Sequence, residues 1–593
     1  MPGWLMSLDR FFPIRYLSVV LAGVCLVLGA ALWVWAGMDL WLAVIGAVTL
    51  LIGLHDMQQT RRSVLRNYPL IGHIRFLFEW VRPELRQYLL EGDGEAVPFS
   101  RQQRSLVYQR SKGESDKRPF GTQLDVNAAG YEWINHSMQP STVASHDFRI
   151  SIGGGRCSKP YSASLFNISA MSFGALSANA VLALNGGAKA GGFAHDTGEG
   201  SISQYHRVHG GDLIWEIGSG YFGCRDAHGG FDADKFAASA VEPQVKMIEL
   251  KLSQGAKPGH GGVLPGAKVT PEIATARGVM VGVDCISPAA HSAFSTPVEM
   301  LHFIERLRVL SGGKPVGFKL CIGHPWEWFA IARAMQETDL LPDFIVVDGG
   351  EGGTGAAPLE FTDHVGAPLQ EGLRLVHNTL VGLNLRERIR LGCAGKIISA
   401  FDIARMMALG ADWCNAARGF MFALGCIQAQ HCHTGECPTG VTTQDPLRQR
   451  ALVVPDKMER VRRFHQNTLE ALRELIQASG VMHPNQLTAA HIVRRTPDGE
   501  VRLLSNLLST CKPGELLAAD RGEVPWPHAV FGAFWPISRS DSFSPKASLA
   551  MVVPTREPVT MSPPVQPISI AGLRASRQMV AQASVDSPTD LPA

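Results

Sequence analysis

The chain has 593 residues, enough for two to four average domains or for one large barrel with extensions. A net charge of +2, with no basic block interleaved with aromatics, gives no reason to expect a nucleic-acid partner. Eleven cysteines, mostly scattered, do not form a secreted disulfide framework and point to a reducing compartment; 46% hydrophobic and 18% charged residues fit a globular core plus some membrane-embedded surface.

At the N-terminus, Tyr16 to Gly37 carries no charge and is long enough to cross a bilayer as a helix. Leu40 to Leu54 is again uncharged and spans with its flanks included. Arg10 and Arg15 precede the first run, Arg61, Arg62 and Arg66 follow the second, and the connecting turn has no Lys or Arg. By the positive-inside rule both ends face the cytoplasm, with Trp33, Trp35 and Trp41 at the outer interface. A cleaved signal peptide lacks a small-residue cleavage site here and leaves the second run unexplained. The expectation is a two-helix hairpin over 1–62, multi-pass in the plasma (inner) membrane, with a cytoplasmic catalytic domain.

Residues 63–150 read as a polar connector, in which Ile71 to Leu90 has helical apolar spacing and lies either on the membrane surface or against the main domain. Between 151 and 450 short apolar runs (Ser164–Ile168, Leu213–Ile217, Met247–Leu252, Val316–Leu320, Phe344–Val347) end in Gly-rich turns, with helix-length segments such as Pro297–Leu310 and Trp326–Gln336 between several of them. That alternation predicts an α/β fold with a parallel sheet closed as a (β/α)8 TIM barrel. A helical extension follows over 451–540, with a helix or helix pair at Asp456–Ser479. The Pro-, Ser- and Ala-rich segment 541–593 is expected to be a disordered tail.

In such a barrel the reactive groups belong on the loops after the strands. Ser169-Ala170-Met171-Ser172-Phe-Gly174 is small enough for backbone groups to meet a flat ring edge. Asp348-Gly349-Gly350-Glu-Gly352-Gly353-Thr354-Gly355 has five glycines in eight positions and can lie against a cofactor. Lys319 sits inside an apolar strand, where a lysine is costly unless it points out of the barrel top at an anion. Gly395-Lys396 and Ala417-Arg418 end the last two strands, where barrels commonly bind phosphate. Gly218-Ser-Gly-Tyr-Phe-Gly223 satisfies a dinucleotide fingerprint, but no βαβ mononucleotide half surrounds it. Finally Cys426, Cys432 and Cys437 lie six and five residues apart with Pro438 after the last. Spacing alone leaves an iron–sulfur cluster, a zinc site completed by His431 or His433, and structural thiols all open.

Taken together, Ser169–Gly174, Thr197–Gly200, Gly218–Gly223, Gln254–Gly259, Gly261–Lys268, Ile286–Pro288, Lys319, Gly352–Pro358 and the cysteine loop through Asp445 resemble the FMN-binding synthase domain of glutamate synthases, over roughly residues 150 to 450. The resemblance implies FMN at the barrel mouth, a 3Fe-4S cluster on Cys426, Cys432 and Cys437, and reductive amination of 2-oxoglutarate with ammonia to L-glutamate. It makes Lys319 the cation near the flavin N1/C2 carbonyl edge and puts the phosphate on Arg418 with backbone around Ala417 and Gly395. Gly266, Lys268 and Ser287 become substrate contacts, and Glu199 orients the substrate. The electron donor would be a ferredoxin-like protein or a reductase subunit. The chain departs from the family at Val263, where a Gln is usual, and at Ala289-Ala-His291 in place of Pro-Pro-His-His; it also begins Met1-Pro2 rather than with a glutaminase cysteine. Two alternatives stand beside this reading: a flavin and iron–sulfur oxidoreductase for another small oxo or amino acid coupled to a membrane electron carrier, and a non-catalytic electron-transfer subunit.

Overall fold

The structure, a computed structural model, describes residues 13–60, 62–92, 94–95 and 98–545. Arg10, Arg61 and residues 546–593 of the tail expected over 541–593 lie outside them. Helices α1 (Leu17–Ala36) and α2 (Trp41–Gln58) are long and apolar enough to cross a membrane by length and composition, and little of either is buried. They pack as a tight antiparallel pair. A Cβ on Gly29 would meet Ala43 N at 2.3 Å, and one on Gly46 would meet Leu26 N at 2.4 Å, so only glycine allows the backbones to approach this closely. The hairpin's foot is fixed by Asp56, whose buried carboxylate accepts from Leu70 N–H at 3.0 Å and lies 2.9 Å from His73 Nε2.

Beyond the foot runs α3 (Gly72–Leu85), continued by one wider turn over Arg86–Leu90, and then α4 (Arg101–Lys112), which starts at a Ser100–Gln103 capping box. Ile74, Leu77, Phe78 and Trp80 stay exposed on α3, as do Leu89 and Leu90 beyond it. Glu132–Ile134 pairs antiparallel with Ile492–Arg495, which in turn pairs with Val501–Leu503, so the segment before the barrel and the segment after it share one small sheet.

Eight parallel strands close the barrel: β1 (Phe166–Ile168), β2 (His195–Asp196), β3 (Leu213–Ile217), β4 (Val245–Lys251), β5 (Val316–Leu320), β6 (Phe344–Asp348), β7 (Arg390–Ala394) and β8 (Trp413–Ala416). Each pairs with the next, and Cys414↔Phe166 closes the ring from β8 to β1. Val, Ile, Leu and Phe fill these strands because both faces are covered, by helices outside and by the barrel's own interior inside. The expected run Ser164–Ile168 is split. Tyr161–Ser164 pairs antiparallel with Arg149–Ile152, and the chain enters the barrel only at Phe166, whose N–H reaches back to Ser164 Oγ at 3.3 Å. Around the barrel lie α5 (Ala178–Gly191), the short exposed α6 (Leu359–His364) after the Gly-rich loop, α7 (Arg418–Leu424), and α8 (Val454–Ala478), a single helix packed against α5.

Gly46→Leu should force α1 and α2 apart without touching the barrel. Cysteine pairs placed across the hairpin should lose their cross-linking while the thermal unfolding midpoint of the barrel stays within about 2 °C; retained cross-linking would show that the close approach is not required.

Candidate active site

The barrel interior holds a charge cluster. Strand alternation turns Asp196, Glu216 and Glu249 inward, bringing a carboxylate oxygen from each within 4.8 Å of the others. Lys319 comes between them from β5, ion-paired with Glu216 and 3.2 Å from Glu249. All four side chains are buried. Burial, with Glu249 and Glu216 nearby, pushes the Asp196 carboxyl well above its usual range. Burial likewise lifts Glu249 to about 7, against Lys319 and with Glu216 adding to the rise. Burial alone would lower Lys319, but Glu216, Glu249 and Asp196 outweigh it and keep the ammonium charged. Lys319 thus finds its anion inside the barrel, not beyond its rim as the sequence suggested.

Above this cluster a cavity of about 140 Å³ opens at the strand C-termini, lined by Ala170, Met171, Ser172, Glu199, Lys251, Lys257, Lys268 and Arg277 among others. Glu199 is its anionic pole: Lys251 Nζ lies 3.1 Å from Oε1, and Ser287 Oγ donates to Oε2 at 3.2 Å. Burial would raise the Glu199 carboxyl, but Lys251, Arg277 and Lys257 outweigh it and hold it below its ordinary value. Arg277 donates to Phe173 O at 2.9 Å and Ser172 Oγ at 3.3 Å, while its buried Nε has no partner among the described residues. Such an orphan donor on a cavity wall suits an anionic ligand.

A second, narrower space adjoins it under the rim of small residues: Ala170, Gly352, Gly353, Ala394, Gly395 and Ala417, with Lys319 and Asp348 at the base and Lys396 and Arg418 at the edge. Asp348 Oδ2 accepts from Gly255 N–H at 2.8 Å, which pins the Gly-rich loop over the barrel. Arg418 donates to Thr354 O at 2.8 Å. Lys396 sits at φ 52°, a left-handed conformation unusual for lysine that marks a tightly constrained turn. Small walls, backbone-rich loops and two cations at one end suit a flat ring system carrying a phosphate.

The three cysteines line one larger cavity together with Phe99 and the Gly-rich loop. Cys426 Sγ accepts from Gln428 N–H at 3.4 Å, and Cys437 Sγ lies 3.5 Å from Thr439 Oγ1. Burial pushes the Cys426 thiol up to about 11, whereas at Cys437 hydrogen bonds from Thr439 and Thr442 outweigh burial and lower it. Among the described residues, only Asp196, Glu216 and Glu249 bring three such ligand atoms within 4.8 Å of one another. One zinc ion holds two thiolates no more than about 4.6 Å apart. Cys426, Cys432, Cys437, His431 and His433 do not form such a close group as they stand.

Several expected site residues take other positions. Lys268 Nζ donates to Ala175 O at 3.3 Å, Cys432 O at 3.1 Å and Thr442 O at 3.0 Å, so all three of its N–H groups already have partners. It lines the smaller cavity, but as it stands it ties the cysteine loop to the barrel. Gly266 is not on the cavity wall. Its N–H goes to Asp284 Oδ1 at 2.6 Å, and a Cβ there would strike Gly282 O at 2.5 Å. Ser287 acts through Glu199. Gly349 N–H pairs with Ala394 O at 2.8 Å, Gly350 N–H with Ala367 O at 2.8 Å and Gly352 N–H with Gly349 O at 2.8 Å; Gly350, Gly352, Gly353, Thr354 and Gly355 line the open space, and Gly349 does not. The Gly218–Gly223 turn leads to no helix until Ala233, so it lacks the setting of a dinucleotide site.

Sequence reasoning missed Asp196, Glu216, Glu249, Lys251, Lys257 and Arg277. The signal that exposed Lys319, a charge inside an apolar strand, was equally present for Glu216 and Glu249. Arg277 ends a short helix outside the barrel and carried no such signal.

The comparisons with known proteins agree with this geometry. The family model for the conserved region in glutamate synthase matches residues 149–482. The glutamate synthase large subunit-like protein YerD of Bacillus subtilis is 39% identical over 497 residues, covering 77% of this chain and 94% of that protein. The chain belongs to the glutamate synthase family. The archaeal glutamate synthase [NADPH] of Methanocaldococcus jannaschii is 34% identical over 53% of this chain and 58% of its own, so the chain spans little more than half of that relative. The ferredoxin-dependent glutamate synthase of Antithamnion sp. is 35% identical over 44% of this chain and 17% of its own length. Among solved structures, a mutant flavocytochrome b2 aligns over 76% of the chain at 12% identity and a TM-score of 0.38, too slight a likeness to carry any argument.

Because the folded Glu249 carboxyl holds its proton to about 7 against about 4.5 in the unfolded chain, the native state binds more protons between those values, and stability falls as pH rises across that window. Glu249→Gln should flatten this part of the unfolding-midpoint profile between pH 5 and about 8; an unchanged slope would show that Glu249 is ionised throughout.

Proposed function

We propose that this protein is a membrane-anchored, FMN-dependent oxidoreductase that aminates 2-oxoglutarate with ammonia to L-glutamate, drawing electrons through a 3Fe-4S cluster. The observation that carries the substrate class is the cavity above Lys319: four cationic side chains, Lys251, Lys257, Lys268 and Arg277, face it against Glu199 and Glu216. That excess of positive charge in a small cavity suits a dicarboxylate. The family's activity supports the same reading.

FMN would lie with its ring against Ala170, Met171 and the Gly352–Gly355 segment, Lys319 and Asp348 beneath, and its phosphate at Arg418, Lys396 and the Gly395 and Ala417 backbone. When bound, reduced FMN supplies the hydride that the substrate carbon accepts. The residues present do the rest. Arg277 and Lys257 hold the substrate carboxylates. Glu199, kept ionised by Lys251, Arg277 and Lys257, accepts hydrogen bonds from the nitrogen that replaces the keto oxygen and fixes it beside C2. The Lys319 ammonium, neutralised from below by Glu216 and Glu249, stabilises negative charge arriving from above. Cys426, Cys432 and Cys437 would hold the cluster, and Lys268 fixes the Cys432 backbone against the barrel. The hairpin is read as a multi-pass plasma-membrane anchor with the barrel on the cytoplasmic side, Arg62 and Arg66 following α2.

A second reading, another small oxo or amino acid, draws on Val263, an apolar side chain in the cavity wall. Purified protein reduced with dithionite and given 2-oxoglutarate and 15N-ammonium should form 15N-glutamate. Turnover only with a different oxo acid would select the second reading, and no turnover with any would reject both. Glu199→Gln should lower kcat at least 100-fold while bound flavin is retained. Arg277→Met should raise KM for 2-oxoglutarate at least tenfold and leave KM for ammonium nearly unchanged; equal effects on both would place Arg277 outside the carboxylate site.

A further inference from the structure

The cavity that exposes the cysteines has a volume of about 1120 Å³ and a mostly apolar surface; Gly352–Gly355, Lys396 and Arg418 in its lining belong to the proposed flavin site, whereas Leu359, His364 and Val365 line it outside that site. One wall is the cysteine loop. A second is Phe99 with Pro98, from the segment that leads out of the membrane hairpin, and a third is the exposed helix α6 with Leu359 and Val365 at the rim. The hairpin side is not a loose tether. Gln87 donates to Ile427 O, Tyr108 Oη donates to Cys426 O at 2.6 Å, and Gln428 Nε2 donates to Phe99 O at 3.2 Å. Arg104 and Glu91, both nearly buried, pair at 2.9 Å beneath this contact. The turn that bonds the cysteine loop therefore directly follows α3, whose Ile74, Leu77, Phe78 and Trp80 stay exposed, with Leu89 and Leu90 beside Gln87 also uncovered. An amphipathic helix with that outward apolar row, attached to a membrane hairpin, lies in the bilayer interface. It carries the cysteine loop and its cavity to the membrane surface.

We propose that this cavity binds a lipid-soluble quinone. The chemistry favours that class over a plain acyl chain, which needs no polar partner. The lining combines Phe99, Leu359 and Val365 with the hydrogen-bonding side chains His364, His431 and Thr354, matching a flat apolar ring with two carbonyl oxygens. The inference rests on the proposed reaction and names its reductant. Quinol, 2-oxoglutarate and ammonium yield quinone, glutamate and water: quinol is oxidised, giving up two electrons and two protons, and the imine formed from the keto group and ammonia is reduced by the same two equivalents.

The test uses the full-length protein in detergent or lipid nanodiscs and a short-chain azidoquinone. Photolabelling should fall in peptides containing Phe99 or residues 354–366, and excess decylubiquinone should compete it away. Val365→Trp fills the rim and should lower labelling at least tenfold with bound flavin unchanged; Leu359→Trp, at a more exposed position, provides the same test should the first variant fail to fold. Labelling confined to the transmembrane helices, or undiminished in a folded rim variant, would overturn the proposal. So would reduction by a ferredoxin-type protein with no quinone labelling. Competed labelling without glutamate formation would support the quinone site and reject the proposed reaction. Glutamate formation without labelling would do the reverse.

Discussion

One lysine enclosed in a closed barrel sets the terms for everything above it. Lys319 is almost wholly buried and is stable there because Glu249 faces it from the adjacent strand β4 and Glu216 from β3 beyond it. Removing one partner of such a buried pair typically costs about 3–5 kcal/mol, because the remaining charge stays buried and uncompensated. The strands therefore cannot slip in register without separating these charges, since a one-residue shift would turn Glu249 or Lys319 to the helical side. Register, charge and the floor of the cavity are a single constraint. Asp196 completes it: burial and the neighbouring Glu249 and Glu216 raise its carboxyl and favour the neutral form, which limits the negative charge gathered around Lys319.

From that floor the site is built outward in layers. Glu199 and its cations form the next layer, held by Ser287 and by the Ser172–Phe173 backbone through Arg277. Lys268 links this layer to the cysteine loop, Gln87 links the loop to the turn that follows α3, and Tyr108 links it to α4. The contacts run from the apolar N-terminal hairpin through α3 to the cysteine loop and on to Lys268. On the proposed reading this gives the hairpin a chemical rationale: it would fix the cysteine loop at the bilayer surface.

The fold was legible wherever a local rule was sufficient. Leu213–Ile217 and Val316–Leu320 were readable as strands because apolar runs ended in glycine turns, and Pro297–Leu310 as a helix because Thr296 caps it and Pro297 starts it. The cysteines, the Gly-rich loop and Arg418 stood out because chemistry of the proposed kind needs those residue types close together in sequence, and the structure lines one cavity with them. What sequence could not show was pairing across the barrel. Nothing local says that Lys319 faces Glu216, which precedes it by 103 positions, or that Arg277 returns to the Ser172 loop. Lys268 is the instructive case: its place in a family block suggested a substrate contact, yet three backbone carbonyls, one from the loop after β1 and two from the cysteine loop, satisfy its ammonium. The β2 strand, His195–Asp196, was too short to leave a pattern.

The central claim is a flavin seated over Lys319 and sharing a wall with thiolate-held iron. Its most direct test is the visible spectrum of the anaerobically purified full-length protein, read alongside acid-released flavin and total iron. The account predicts about one FMN per chain with iron–sulfur absorbance bleached by dithionite. A colourless protein that takes up neither flavin nor iron on reconstitution would contradict it.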